Sequence, residues 1–101
     1  MGYRVVFTTT AEQHLREIED YIAIREGSRV PAAAFAVRLV AAALSLAEFP
    51  YRGRVFNRRQ KLRRLCYGNY LIVYQGVVAE EVVHVIGFIH GARIRRPGQL
   101  P

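Results

Sequence analysis

The sequence predicts an α+β domain of order β-α-α-β-β-β, an antiparallel twisted sheet with an N-terminal helical hairpin packed on one face. Three observations carry this. A β-branched and aromatic run opens the chain at residues 3–8. Two stretches of helical periodicity follow, parted by Gly27 and Pro31. Three apolar runs separated by turn signals then fill residues 61–90.

The first run, YRVVFT, is bounded by Gly2 and a threonine cluster and reads as a strand. Thr9-x-x-Glu12 and Thr10-x-x-Gln13 both have the spacing at which a side chain and a backbone amide cap each other at a helix start. The first helix is expected over residues 11–26, with Ala11, Leu15, Ile18, Tyr21 and Ile22 as its apolar stripe. His14 falls on its polar side. Gly27 suits the left-handed residue that ends many helices. The second helix runs from Pro31 to about Glu48. Phe35, Leu39, Ala42, Leu46 and Phe49 form its core face, and Ala32, Ala36, Val40, Ala43 and Ala47 form a small-residue stripe for the first helix. A short connection makes the two an antiparallel hairpin.

Phe49-Pro50 ends the second helix, because the residue before proline disfavours helical backbone. Residues 51–60, YRGRVFNRRQ, read as an exposed basic loop. Residues 61–66 and 70–75 pair across Gly68-Asn69, a two-residue turn with glycine first. Tyr70, Ile72 and Tyr74 then face one side of the sheet, and Leu71 and Val73 the other. Residues 82–90 are apolar on both faces, as expected of an interior strand. The chain is one domain, 1–101, with a frayed basic tail from about residue 94.

The formal net charge is +7, and fourteen of the fifteen cationic residues are arginine. Between Phe49 and Ala79 there is no acidic residue, yet Arg52, Arg54, Arg58, Arg59, Lys61, Arg63 and Arg64 all fall there. That asymmetry points to an acidic partner, nucleic acid or protein, with a solvated basic face as the plain alternative. Cys66 is the only cysteine, which rules out an intrachain disulfide and suits a reducing cytoplasm. The N-terminus lacks a charged segment followed by a long apolar run, and no apolar run approaches the ~18 residues of a membrane span.

Metal and nucleophile chemistry find little support. His84 and His90, six residues apart on one strand, are expected on one face about 20 Å apart, too far to share a metal. No nucleophile elbow or phosphate-cradling glycine loop is present. No cofactor is expected. The basic cluster remains: Arg63 and Arg64 point to opposite faces of their strand, and Arg93 follows the last strand. Arg93 joins them only if those strand ends meet. Tyr67, Tyr70 and Tyr74 are candidates for stacking on bases, or plain sheet-face residues.

YRVVFTTTAEQHLREIEDYI, then Phe49-Pro50-Tyr51-Arg52-Gly53, LRRLCYGNYLIVYQ and HVIGFIHGAR, in this order over nearly the whole chain, resemble the RelE/ParE superfamily of bacterial toxins, its ParE branch in particular. The resemblance implies a cytoplasmic toxin neutralised by an antitoxin whose acidic C-terminal segment wraps it. Leu15, Ile22, Phe35 and Leu39 are the expected antitoxin contacts. ParE-type members are associated with poisoning DNA gyrase, and RelE-type members with cutting mRNA on the ribosome, commonly using a tyrosine near the C-terminus. From Ile89 to Pro101 there is no aromatic residue, which favours the gyrase branch, with RelE-type cleavage and a non-toxic member that only binds its antitoxin as the alternatives. On that reading Arg63, Arg64 and Arg93, with Tyr70 and His90, form the target-binding set. Direct nucleic-acid binding is secondary and no membrane role is expected.

Overall fold

Strand β1 (Arg4–Phe7) leads into helix α1 (Thr9–Glu26), and α2 (Arg29–Leu44) returns antiparallel to it before four further strands. These are β2 (Arg54–Asn57), β3 (Leu62–Tyr67), β4 (Tyr70–Val77) and β5 (Val82–His90), followed by a 3₁₀ turn over Gly91–Arg93. The structure, a computed structural model, describes residues 2–93. The basic tail expected from residue 94 lies outside that range.

The helices begin and end where local chemistry demands. The cap of α1 is Thr8, one residue before the two threonines the sequence offered. Its hydroxyl accepts from the Ala11 amide at 3.1 Å and donates toward the Val85 and Ile86 carbonyls at 2.9 and 3.1 Å. The cap therefore also ties α1 to β5. Gly27 closes the helix at φ 70°, as expected. Ser28 caps α2. That helix stops at Leu44 and tightens into a 3₁₀ turn over Ser45–Ala47, so Phe49 lies beyond it, 64% exposed rather than on the core face.

The sheet has five strands in the order β1-β5-β4-β3-β2. Two features depart from the sequence expectation. The first is β2, which the sequence disguised as a loop because it is short, basic and at an edge, the usual protection against edge-to-edge pairing. The second is that β1 pairs with β5 in parallel, so the sheet is mixed. Alternation of side chains reports strand faces but not strand direction. The helical crossover between β1 and the rest permits the parallel pairing.

Both faces of the sheet are apolar. Toward the helices, Ile18, Ile22, Leu39, Leu46, Ile72, Tyr74, Val83, Val85 and Phe88 form the main core. On the opposite face Phe56, Leu62, Leu71, Val73 and Ile89 form a second cluster. Burying one such aliphatic side chain contributes roughly 1.5–3 kcal/mol relative to leaving it exposed. Ala32, Ala36 and Ala43 of the small-residue stripe are buried. The stretch Arg29–Ala47 is longer and more apolar than the sequence reading allowed, enough by composition to cross a membrane. In this fold its Leu39, Ala43 and Leu46 are fully buried in the main core.

A register shift on β5 overturns one expectation directly. Val73 pairs with Gly87 but Tyr74 with Val85, so Ile86 is an extra residue. Such a bulge reverses side-chain alternation beyond it. His84 and His90 consequently lie on opposite faces, not the same one. His90 sits opposite Tyr70 on the helix side, and His84 opposite Gln75 on the other.

Candidate functional site

Strand directions divide the expected target-binding residues into two groups. β3 and β5 both run antiparallel to β4, so they run the same way. The end of β5 therefore lies beside the end of β3, not its start. Tyr70 pairs with Tyr67 on one side and His90 on the other, and the Gly91 amide donates to the Asn69 carbonyl at 2.7 Å. Arg93, in the turn just beyond, thus belongs to the Gly68-Asn69 end of the sheet. Arg64 is three residues back along β3, about 10 Å away at strand rise, and Arg63 is farther still. Tyr70, His90 and Arg93 form one end, and Arg63 and Arg64 the other.

At the Gly68-Asn69 end, the helical hairpin and the sheet frame an open groove of about 1180 Å³. Phe35 anchors its floor, tilted against Tyr67 and Tyr70 with ring centroids 5.9 and 5.6 Å apart. Tyr70 meets His90 edge to face at 5.1 Å. Arg38 lies over the Phe35 ring at 5.9 Å, and Arg25 over Tyr21 at 5.5 Å. His14 and Glu17 complete the helix wall. The groove is amphipathic, with aromatic surface below and both signs of charge at the rim.

His14 was expected on the polar side of α1. It instead turns toward the sheet, and its Nδ1 accepts from the Phe88 amide at 3.2 Å. Gly87 permits this, since a Cβ there would stand 2.8 Å from that nitrogen. The signal was present in the sequence as a glycine inside an otherwise apolar strand, the usual mark of a bulge or a close approach. His90 Nδ1 likewise accepts, from the Ala92 amide at 3.1 Å. In the neutral form both imidazoles therefore carry their proton on Nε2.

At the other end Arg63 is already engaged. Its guanidinium donates to the Gly53 and Tyr51 carbonyls at 2.8 and 3.3 Å and lies over the Tyr51 ring at 5.2 Å. It pins the segment after α2 to β3. Gly53 is buried there, its amide donating to the Tyr74 hydroxyl at 2.9 Å. Burial raises the Tyr74 phenol above the ordinary tyrosine value, an effect partly offset by that amide and by Arg63 and Arg52. Arg64 points to the opposite face, as the alternation predicted, beside Val73 and Arg54.

Of the expected antitoxin contacts, Ile22 and Leu39 are buried in the main core at 7% and 0% exposure, and Ile22 also lines the groove. The helical phase was right, but the stripe they share faces the sheet. Leu15 and Phe35 are half-buried at its edge, Phe35 in the groove. The exposed large apolar residues of the hairpin are Tyr21, Ile24, Val30, Val37 and Leu44. Among the described residues, no three of His, Cys, Asp and Glu stand close enough to hold a metal.

Four likenesses to known proteins bear on this architecture. Residues 5–95 match the family model for the ParE toxin of the type II toxin–antitoxin system parDE. The chain is 40% identical over 92 residues to Toxin RelE2 of Caulobacter vibrioides, covering 90% of this chain and 98% of that one. The toxin–antitoxin complex RelBE2 from Mycobacterium tuberculosis superposes with a TM-score of 0.67 at 22% identity, over 89% of this chain and 99% of that one. The chromosomal ParDE system from P. aeruginosa superposes at 0.75 and 13% identity, over 87% and 95%. At those identities the two structures speak for the fold alone.

Proposed function

The chain belongs to the ParE toxin family of type II toxin–antitoxin systems, and from that premise we propose that it arrests growth by binding DNA gyrase rather than by cutting RNA. As a toxin of such a system its partner is an antitoxin.

The observation that carries the gyrase reading is the division of the polar residues. Cleavage of a phosphodiester by its 2′-hydroxyl needs a base, an acid and a charge stabiliser converging on one phosphate. Here Arg64 lies at one end of the sheet, while His90 and Tyr70 lie at the other with Arg93 beyond them, and the charges that share the groove with that pair, Glu17, Arg25 and Arg38, stand at its rim. Tyr70 is packed between Phe35 and His90, and each groove histidine has one nitrogen committed to a backbone amide. This arrangement suits a binding surface. Tyr70, His90 and Arg93 at one end of the sheet, and Arg64 on its opposite face, are the residues we assign to target contact, while Arg63 holds the segment after α2 at the other end.

The antitoxin reading is revised by burial. We place its docking on the exposed hairpin face, Tyr21, Ile24, Val30, Val37 and Leu44, continuing past Leu15 into the groove at Phe35. Apolar anchors beside Arg25 and Arg38 suit an amphipathic segment with acidic residues that folds as it binds.

The kinship to a relative named RelE2 keeps a second reading, ribosome-dependent mRNA cleavage. One experiment separates the two. After induction without antitoxin, thymidine and methionine incorporation are followed in pulses. Thymidine incorporation falling first, with inhibited supercoiling by purified gyrase, is the expected result. Methionine incorporation falling first would replace gyrase with the ribosome.

A further inference from the structure

Strands β2 and β3 bring a pair of like charges together. Arg54 of β2 and Arg64 of β3 are directly opposite in the antiparallel register. Opposed residues share a face with Cβ atoms roughly 5 Å apart, and like charges so placed repel. The two ion pairs among the described residues are Arg25–Glu26 and Arg29–Asp20, both on the helical hairpin. The sequence supplies no carboxylate between Phe49 and Ala79. The repulsion therefore waits for an anion from outside.

The turn joining the two strands adds three more exposed cations, Arg58, Arg59 and Lys61. This turn is built rather than slack. Asn57 Oδ1 accepts from the Gln60 amide at 3.0 Å, the Lys61 amide donates to the Arg58 carbonyl at 3.2 Å, and Gln75 donates to the Gln60 carbonyl at 2.9 Å. Lys61 holds a left-handed backbone, φ 58°, to complete it. The charges are thus presented from a defined frame.

We propose that the β2–β3 edge is a duplex DNA backbone site, in which phosphates seat between Arg54 and Arg64 and along Arg58, Arg59 and Lys61. Arginine's planar fork matches phosphate bidentately. An acidic peptide fits this edge less well. Folding on binding needs several apolar anchors, and β2 exposes one, Val55, while the hairpin exposes Tyr21, Ile24, Val30, Val37 and Leu44. Single-stranded RNA fits less well too, since its capture relies on aromatic stacking. Phe56, the aromatic on this face, is 4% exposed, and Tyr67 packs on Phe35 at the helix side. The inference goes beyond target inhibition and does not depend on whether gyrase is the target.

The test uses the full purified chain and fluorescence anisotropy with a 20-base-pair duplex, a 20-nucleotide single-stranded RNA and polyglutamate. With four to five phosphates contacted, log K against log salt should fall with a slope of about −4 for the duplex. Arg58→Gln with Arg59→Gln should reduce that slope by about 2. Arg4→Gln with Arg16→Gln, the same charge change on β1 and α1, should leave it unchanged. Arg54→Gln is the diagnostic variant. It should weaken duplex binding several-fold and yet raise the melting temperature of the free protein by roughly 2 °C, because it relieves the pair. Equal loss in the β1 and α1 control, tighter binding of RNA or polyglutamate than of duplex, or an Arg54→Gln variant that loses both binding and stability would each overturn the proposal.

Discussion

Gly53 is where the fold tolerates least change, and Gly53→Ala tests the account of how Arg63 and Tyr74 are held. A Cβ at residue 53 would fall on the Arg64 carbonyl oxygen and stand 2.6 Å from the Tyr74 hydroxyl. The first neighbour is backbone within the β3 ladder and cannot swing aside. The second is a fully buried phenol whose described partner is the Gly53 amide. Two effects therefore add. Forcing a methyl into a packed site costs about 1–3 kcal/mol. Pushing the amide away leaves a buried hydroxyl short of a hydrogen bond, about 1–3 kcal/mol more. A loss near 4 kcal/mol is a large share of the 5–15 kcal/mol typical of a domain. At about 4–8 °C per kcal/mol for a domain approaching 100 residues, the melting temperature should drop by roughly 15–30 °C. Thermal denaturation followed by circular dichroism measures it, with urea unfolding as a second determination. Tyr74→Phe in the Gly53→Ala background should recover only part of the loss, since the clash with Arg64 remains. A Gly53→Ala protein melting within 2 °C of the parent would refute the packing argument.

Gly87→Ala should destabilise by about 1–2 kcal/mol, because His14 must leave and the Phe88 amide loses its acceptor. In a His14→Ala background the same change should be close to neutral, and a double-mutant cycle by urea denaturation reads the coupling. The raised Tyr74 phenol fixes a sign for alkaline stability. The folded state keeps that proton longer than the unfolded chain, so the stabilisation is intact below pH ~10 and is lost as pH rises through the folded value. Tyr74→Phe should flatten the fall in melting temperature above pH 10. Val37→Asp, at a residue 69% exposed, should leave the melting temperature within about 2 °C and weaken antitoxin binding at least tenfold. Calorimetry of the pair and failure of the antitoxin to rescue growth are the two readouts.

Much of the fold was legible because it rests on local rules. Helix period, the Gly27 stop and the Gly68-Asn69 turn each act within a few residues, and each is where the chain's chemistry puts it, whereas α2 ends at Leu44, before the Pro50 break. The alternation in β4 correctly divided Ile72 and Tyr74 from Leu71 and Val73. The site was less legible, for reasons that can be named. β2 hid behind the charges that protect an edge strand. Ile86 enters as a bulge, which no count of alternating residues foresees, and it moved His84 and His90 to opposite faces. Ile22 and Leu39 lie on the expected stripe, but a stripe does not say whether it meets the sheet or a partner.

By itself the sequence determined the order of the elements other than β2, the apolar faces, the basic bias of residues 52–64 and the family resemblance, because each is written in neighbours along the chain. Strand direction and register were decided only in the tertiary structure. They depend on pairings across as many as 78 residues, such as Arg4 with Val82, and many strand arrangements satisfy the same local pattern. Those pairings set Arg93 apart from Arg63 and Arg64, brought His14 over Gly87, and placed Arg54 opposite Arg64.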